Sequence, residues 1–212
     1  LGDDWSYSRA EVVKGALREF IEHADVNFSG FSITMPLKEE AFRFAMVRDD
    51  VSELTKSVNT LTRDSQGTWF GFNTDVYGIV QAIEPKLRVA PSRALIIGSG
   101  STAYSAMVAL HSLAPTALVY VHARNRKNRN ALVRFGRGLG LRVKSAYFLG
   151  LALAKSDLTI STVPAHALDR YFNRAISRNS LKPGGPLLDV AYASWPSVTA
   201  EFWQSRGLEA VS

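Results

Sequence analysis

Two periods of apolar and polar positions run along this chain, and the place where one gives way to the other divides it. Over residues 8–23, Val12, Val13, Leu17, Phe20 and Ile21 recur at helical spacing, which predicts an amphipathic helix. Phe31-Ser32-Ile33-Thr34 alternates as a short strand, and Pro36 stands at the first-turn position of a helix expected to reach about Val47. Residues 57–62 and 69–73 predict two strands on either side of the turn Asp64-Ser65-Gln66-Gly67. A helix is expected over residues 75–83. The basic connection between Pro85 and Pro91 is the expected junction of two domains, 1–84 and 85–212.

Beyond it, short apolar runs alternate with helix-like segments. Ala94-Leu95-Ile96-Ile97 is a buried-strand pattern, followed by helical periodicity to about Leu113. Residues 117–122, 157–161 and 187–190 read as further strands, and 128–135 as a helix. Strands alternating with helices predict a parallel sheet with helices on both faces. The expected class is therefore α/β, a doubly wound parallel sheet preceded by a smaller α/β domain.

Composition narrows the chemistry. With no cysteine, disulfides, thiolate metal sites and a cysteine nucleophile are excluded. His23, His111, His122 and His166 lack ligand spacing, so no metal site is expected. No run of about 18 apolar residues and no signal-peptide pattern is present, and a cytoplasmic location is expected. The net charge of +6 is concentrated. Residues 99–156 hold nine Lys or Arg and no Asp or Glu, leaving 16 basic against 19 acidic residues elsewhere. The basicity thus belongs to one segment and points to a local anionic partner.

Gly98-Ser99-Gly100-Ser101-Thr102-Ala103 supplies a place for that partner. It has the Gly-x-Gly-x-x-Gly/Ala form, placed after an apolar strand and before a helix. This is the arrangement that lets backbone N–H groups approach a pyrophosphate. A glycine-rich turn of no special function is the alternative. The next strand runs out into Arg124-Asn125-Arg126-Lys127, without the carboxylate that would hold a ribose 2′-hydroxyl. Guanidinium groups there suit a 2′-phosphate, which favours NADP(H) over NAD. A solvated basic face and nucleic-acid binding are the competing readings, the latter weakened by the absence of interleaved aromatics.

Six elements in order resemble the shikimate dehydrogenase family. Gly30-Phe31-Ser32-Ile33-Thr34-Met35-Pro36-Leu37-Lys38 resembles its Gly-x-Asn-Val-Thr-x-Pro-x-Lys signature. Ser57-Val58-Asn59-Thr60 resembles Ala-Val-Asn-Thr, and Asn73-Thr74-Asp75 matches Asn-Thr-Asp. Gly98-Ser99-Gly100-Ser101 stands for Gly-Ala-Gly-Gly, Ala123-Arg124-Asn125 for Asn-Arg-Thr, and Asp189-Val190-Ala191-Tyr192 for Asp-x-x-Tyr. Ser32, Ser101 and Val76 depart from the usual Asn, Gly and Gly.

The resemblance implies a Rossmann-like NADP domain and NADPH-dependent reversible reduction of 3-dehydroshikimate to shikimate in chorismate and aromatic amino-acid biosynthesis. It implies Lys38 and Asp75 as the catalytic pair, with Thr34, Asn59 and Tyr192 also holding substrate. Gly98, Ser99, Gly100, Ser101, Thr102, Arg124, Asn125, Arg126, Lys127 and Val190 are the implied cofactor contacts. The expected partners are this small-molecule substrate and cofactor, with no nucleic acid or membrane, in a monomer or homodimer.

The chemistry fits those residue types. Hydride arriving at a ketone leaves negative charge on oxygen, which an ammonium stabilises and protonates. Taken singly, a Lys after Pro is ordinarily a solvated helix residue and an Asp after Asn-Thr an N-cap. Thr34 and Asn59 are readable as satisfied strand-end groups and Tyr192 as a core aromatic. Substrate is expected between the domains, with the 85–91 connection as a hinge.

The family ordinarily opens on a Ser-x-Ser-Pro element gripping the substrate carboxylate and closes on a helix bearing a substrate-binding Gln. The chain runs from Leu1 to Ser212 without either, so weak or absent turnover is expected of these residues alone. Quinate as substrate, a non-catalytic NADP-binding module and, on fold grounds only, a tetrahydrofolate-linked dehydrogenase are the alternatives.

Overall fold

The computed structural model describes residues 6–24, 27–178, 181–191 and 195–212. They form two compact units, divided between Asn73 and Thr74.

The first unit packs two helices on a mixed four-stranded sheet. β1 (Gly30–Ser32) pairs antiparallel with β3 (Thr60–Arg63), which pairs antiparallel with β4 (Trp69–Phe72). The short β2 (Val47–Arg48) runs parallel to β4. Leu17 and Ile21 of α1 (Leu17–Glu22) and Ala41 of α2 (Lys38–Phe44) bury against Ile33, Val58 and Leu61. α2 lies close to β4 because Gly71 has no side chain. A Cβ there would overlap the side chains of Ala45 and Val58.

α1 is shorter than its periodicity predicts. Gly15 adopts φ +94°, a conformation that ends helical propagation toward the N-terminus. The Glu40 carboxylate then caps α1 from outside, accepting from Gly15 N–H at 2.7 Å and Leu17 N–H at 3.4 Å. A third helix, α3 (Asp50–Thr55), was not expected from the pattern. Asp49 caps it, its Oδ1 accepting from Ser52 N–H at 2.8 Å.

The second unit is a parallel six-stranded sheet in the order β10-β9-β8-β5-β6-β7. Its strands are β5 (Arg93–Ile97), β6 (Leu118–His122), β7 (Arg142–Ser145), β8 (Leu158–Ser161), β9 (Leu187–Asp189) and β10 (Ala210–Val211). α4 (Asp75–Ile83), α5 (Ser101–Leu113) and α6 (Arg126–Gly138) cover one face, with Ile79, Ile83, Met107, Leu110 and Leu132 in its core. α7 (Leu149–Lys155), α8 (Asp169–Arg178) and α9 (Val198–Ser205) cover the other. There Phe172, Phe202 and Trp203 meet at ring separations of 5.0–5.7 Å, and Trp203 Nε1 donates to Gly185 O.

The expected junction at 85–91 is corrected by α4. Val76, Ile79, Val80 and Ile83 of that helix are apolar on one side and pack into the core of the second unit. The turn Glu84–Lys86 is held to the same unit by a Lys86–Glu209 ion pair at 2.7 Å. The prolines therefore mark a turn within the second unit.

Asp157 ties the starts of β5 and β8 together. Its Oδ2 accepts from Ser92 Oγ at 2.7 Å, Ser92 N–H at 2.9 Å and Arg93 N–H at 3.0 Å. Burial opposes its ionisation, but these donors and the Arg93 charge outweigh it and hold the carboxyl below its usual range. Among the described residues no helix is long and apolar enough to cross a membrane.

Candidate functional site

In the first unit, backbone hydrogen bonds gather three of the expected substrate residues. Ile33 N–H donates to Asn59 O at 2.7 Å, extending the β1–β3 pairing to the end of β1. The chain then turns through a cis Met35-Pro36 bond, and Leu37 N–H closes the turn on Thr34 O at 2.9 Å. Lys38 opens α2, and its carbonyl accepts from Val58 N–H at 3.0 Å. Thr34 and Lys38 thus flank one turn, and the Val58-Asn59 segment crosses it. Thr34 is exposed, whereas Lys38 is only 9% exposed. Burial to that degree is rare for lysine and departs from the solvated helix residue that isolated sequence context suggests. Thr60 Oγ1 donates to Asn59 Oδ1 at 3.0 Å, which orients the Asn59 amide.

The last residues of this unit are fixed as firmly. Asn73 Nδ2 donates to Thr55 Oγ1 at 2.8 Å in a buried pair, and Asn73 N–H reaches Asp49 Oδ2 at 3.4 Å. Asp49 and Thr55 escape sequence reading because α3 itself was not foreseen. The signal was present in Asp49, an N-cap residue ahead of Glu53.

In the second unit Asp75 is the first helical residue of α4, and Thr74 holds the N-cap position. Asp75 is therefore not the cap, and its half-buried carboxylate complements the positive end of the helix.

The glycine segment lies at the carboxyl edge of the sheet. β5 has β6 on one side and β8 on the other, so the strand order reverses there, which in open α/β sheets makes the ligand crevice. Gly98 adopts φ +121°, and a Cβ would collide with Thr162 Oγ1 at the end of β8. Gly100 caps α5 without any side-chain hydrogen bond, and the first turn of α5 has no acidic residue. Ser101 and Thr102 form that first turn, half-buried, behind Ser99. Ala103 is fully buried and lets α5 pack on the sheet. Tyr104 turns its ring onto Phe135, 4.9 Å away. The positive end of α5, behind a glycine at position 98 that has no room for a side chain, fits a dinucleotide pyrophosphate.

Arg124, Asn125, Arg126 and Lys127 follow β6 on the same edge, all exposed. Asn125 caps α6, its Oδ1 accepting from Asn128 N–H at 3.0 Å, so this side chain serves the helix. Val190 follows β9 and donates its N–H to Ser161 O at 3.0 Å. Tyr192 lies outside the described residues. Among the described residues no group of three His, Cys, Asp or Glu is placed to hold a metal ion. Thr162 was missed by the sequence reading, although the strand beside the glycine segment was the place to look for it.

Comparisons with known proteins agree with this fold. The family model for the shikimate dehydrogenase substrate binding domain matches residues 1–61. The shikimate dehydrogenase of Mycobacterium tuberculosis is 32% identical with a TM-score of 0.80, over 99% of this chain and 76% of that one. The shikimate 5-dehydrogenase of Mycobacterium fortuitum is 33% identical with a TM-score of 0.76, over 98% and 75%. A curated shikimate dehydrogenase (NADP(+)) from Methylococcus capsulatus is 28% identical over 97% of this chain and 73% of its own length. Matches of this extent run through both units, and they place the chain in the shikimate dehydrogenase family.

Proposed function

We propose that the chain interconverts 3-dehydroshikimate and shikimate with NADP(H). The observation that carries this reading is Lys38, a buried lysine beside Thr34 and Asn59, in a chain with the family's glycine segment and a basic strand end in place of a carboxylate.

NADPH, when bound, supplies the hydride. The Lys38 ammonium stabilises the charge that develops on the ketone oxygen and delivers a proton from Nζ. The Asp75 carboxylate accepts a hydrogen bond from a substrate hydroxyl and orients the ring. Thr34 and Asn59 present a hydroxyl and an amide, groups suited to the remaining substrate hydroxyls, and Tyr192 is assigned the same task. Gly98 to Thr102 and Val190 receive the dinucleotide backbone. Arg124, Arg126 and Lys127 receive the 2′-phosphate, with Asn125 holding the helix that carries two of them.

The test is absorbance at 340 nm with shikimate and either NADP+ or NAD+. The expected result, with the family's terminal elements supplied, is saturable reduction of NADP+, much faster than that of NAD+, and greatly slowed in Lys38→Ala. NADP+ binding with no turnover of shikimate even then would favour a non-catalytic nucleotide module. Preferential turnover of quinate would reassign the substrate.

A further inference from the structure

One side chain beside the basic strand end has an unusual environment. Arg129, in the first turn of α6, is 7% exposed, and its buried Nε has no hydrogen-bond partner. One terminal nitrogen reaches Ala123 O at 3.4 Å, a long contact. No carboxylate occurs anywhere in residues 99–156. Its guanidinium lies over the ring of Tyr147, 4.6 Å from the centroid, while Tyr147 itself is 68% exposed. A buried charge paired mainly with an aromatic face is unusual, and it holds the Tyr147 ring in place.

Strand register locates the pair. Val121 is opposite Ser145, so Ala123 and Tyr147 leave neighbouring strands at the same level, one residue before Arg124. His122 Nδ1 lies 3.0 Å from Ala146 O and ties the two strand ends together. Adjacent strands are about 5 Å apart. An exposed ring therefore stands next to the basic segment, with one face covered by a cation. Tyr147 and Phe148 also border a groove of about 180 Å³, so the aromatic surface continues into a concavity.

We propose that Tyr147, backed by Arg129, is the stacking surface for the adenine base of the bound dinucleotide. This rests on the NADP(H) reading above and adds the seat of the base to that of the 2′-phosphate. A purine has two broad π-faces, and an aromatic side chain already held by a guanidinium loses little freedom when it stacks. The Arg129 charge adds to the field that draws the phosphates to this edge. The same ring serves NAD+ and NADP+ alike, because both carry adenine. Arg124 discriminates between them.

Titration calorimetry of the chain with NADP+, NAD+ and adenosine 2′,5′-bisphosphate tests this in wild type, Tyr147→Ala and Tyr147→Phe. Tyr147→Ala is expected to weaken NADP+ and the bisphosphate by roughly 5- to 150-fold, the range for loss of one base stack. NAD+ is expected to weaken by the same factor, while Tyr147→Phe stays within about twofold of wild type. Because Tyr147 is exposed, an unchanged unfolding midpoint is expected to accompany the loss. Wild-type affinity in Tyr147→Ala would overturn the proposal and leave the NADP(H) reading standing. Equal loss in the Phe and Ala variants would also overturn it, since a hydroxyl contact would then be responsible. Failure of the wild type to bind NADP+ would overturn both.

Discussion

The Lys38 corner and the nucleotide edge solve different problems with different materials. At the corner, a single ammonium is nearly enclosed, and its placement depends on a turn, a helix start and a crossing strand. At the edge, the proposed working parts are backbone N–H groups at the start of α5 and exposed cations after β6. Chemistry that must be delivered to one atom calls for a side chain held by packing, whereas charge recognition tolerates mobility in its side chains and demands rigidity of the backbone beneath. Substitutions at the corner should therefore act on turnover, and those at the edge on affinity.

The largest effect is expected at the corner. Lys38→Ala should lower kcat by about 10²- to 10⁴-fold, the usual contribution of a positioned acid, while leaving NADP+ affinity within about twofold. Steady-state rates combined with calorimetry separate the two quantities. A large loss of NADP+ affinity in this variant would erase the contrast.

Next comes the backbone of the edge. Gly98→Ala imposes an unfavourable φ and a clash with Thr162 Oγ1, and should cost about 2–4 kcal/mol in urea unfolding together with NADP+ binding. Adding Thr162→Ala should return part of the stability, because it removes the clash and leaves the φ penalty.

Exposed cations come third. Arg124→Ala should weaken NADP+ by about tenfold and NAD+ hardly at all, the loss of one charge-assisted contact. The difference should shrink at high salt. Equal weakening of both nucleotides would assign Arg124 to another part of the dinucleotide.

The smallest effect lies away from both sites. Asp157→Asn should cost about 1 kcal/mol at neutral pH, since the amide keeps some acceptor capacity toward Ser92 and Arg93. Because the folded carboxyl titrates below the unfolded one, its stabilisation is complete above the unfolded carboxylate range near pH 4. It disappears as pH falls through the lower folded value. The variant should accordingly lose less stability than wild type on acidification, as unfolding midpoints at pH 6 and pH 3 would show.

What the pattern of residues made legible, and what it did not, follows the same contrast. β5, the glycine turn, α5 and α4 were readable because strand, turn and amphipathic helix each leave a local signature. α1 was read too long because its upstream apolar residues keep the period after Gly15 has broken the backbone. β7 was missed because Arg142-Val143-Lys144-Ser145 is an edge strand with one buried side chain. α7 was missed because Leu149-Gly150-Leu151-Ala152-Leu153-Ala154 shows no polar face. Within the site, the family motifs pointed to Lys38 and Gly98, but their surroundings are tertiary facts. The burial of Lys38, the approach of Thr162 to Gly98 and the contact of Arg129 with Tyr147 all join residues that no local period connects.

The division between Asn73 and Thr74 has a practical consequence for recombination. β4 ends at Phe72 and α4 begins at Asp75, so no spacer separates the last strand of one unit from the first helix of the next. A chimera spliced to a relative at this point keeps each hydrophobic core within one parent. A splice at the prolines after Ile83, where composition alone suggests a seam, would pair Ile79 and Ile83 of one parent with the β5 and α5 surface of the other. Shuffled libraries should show that asymmetry as a difference in the fraction of soluble clones.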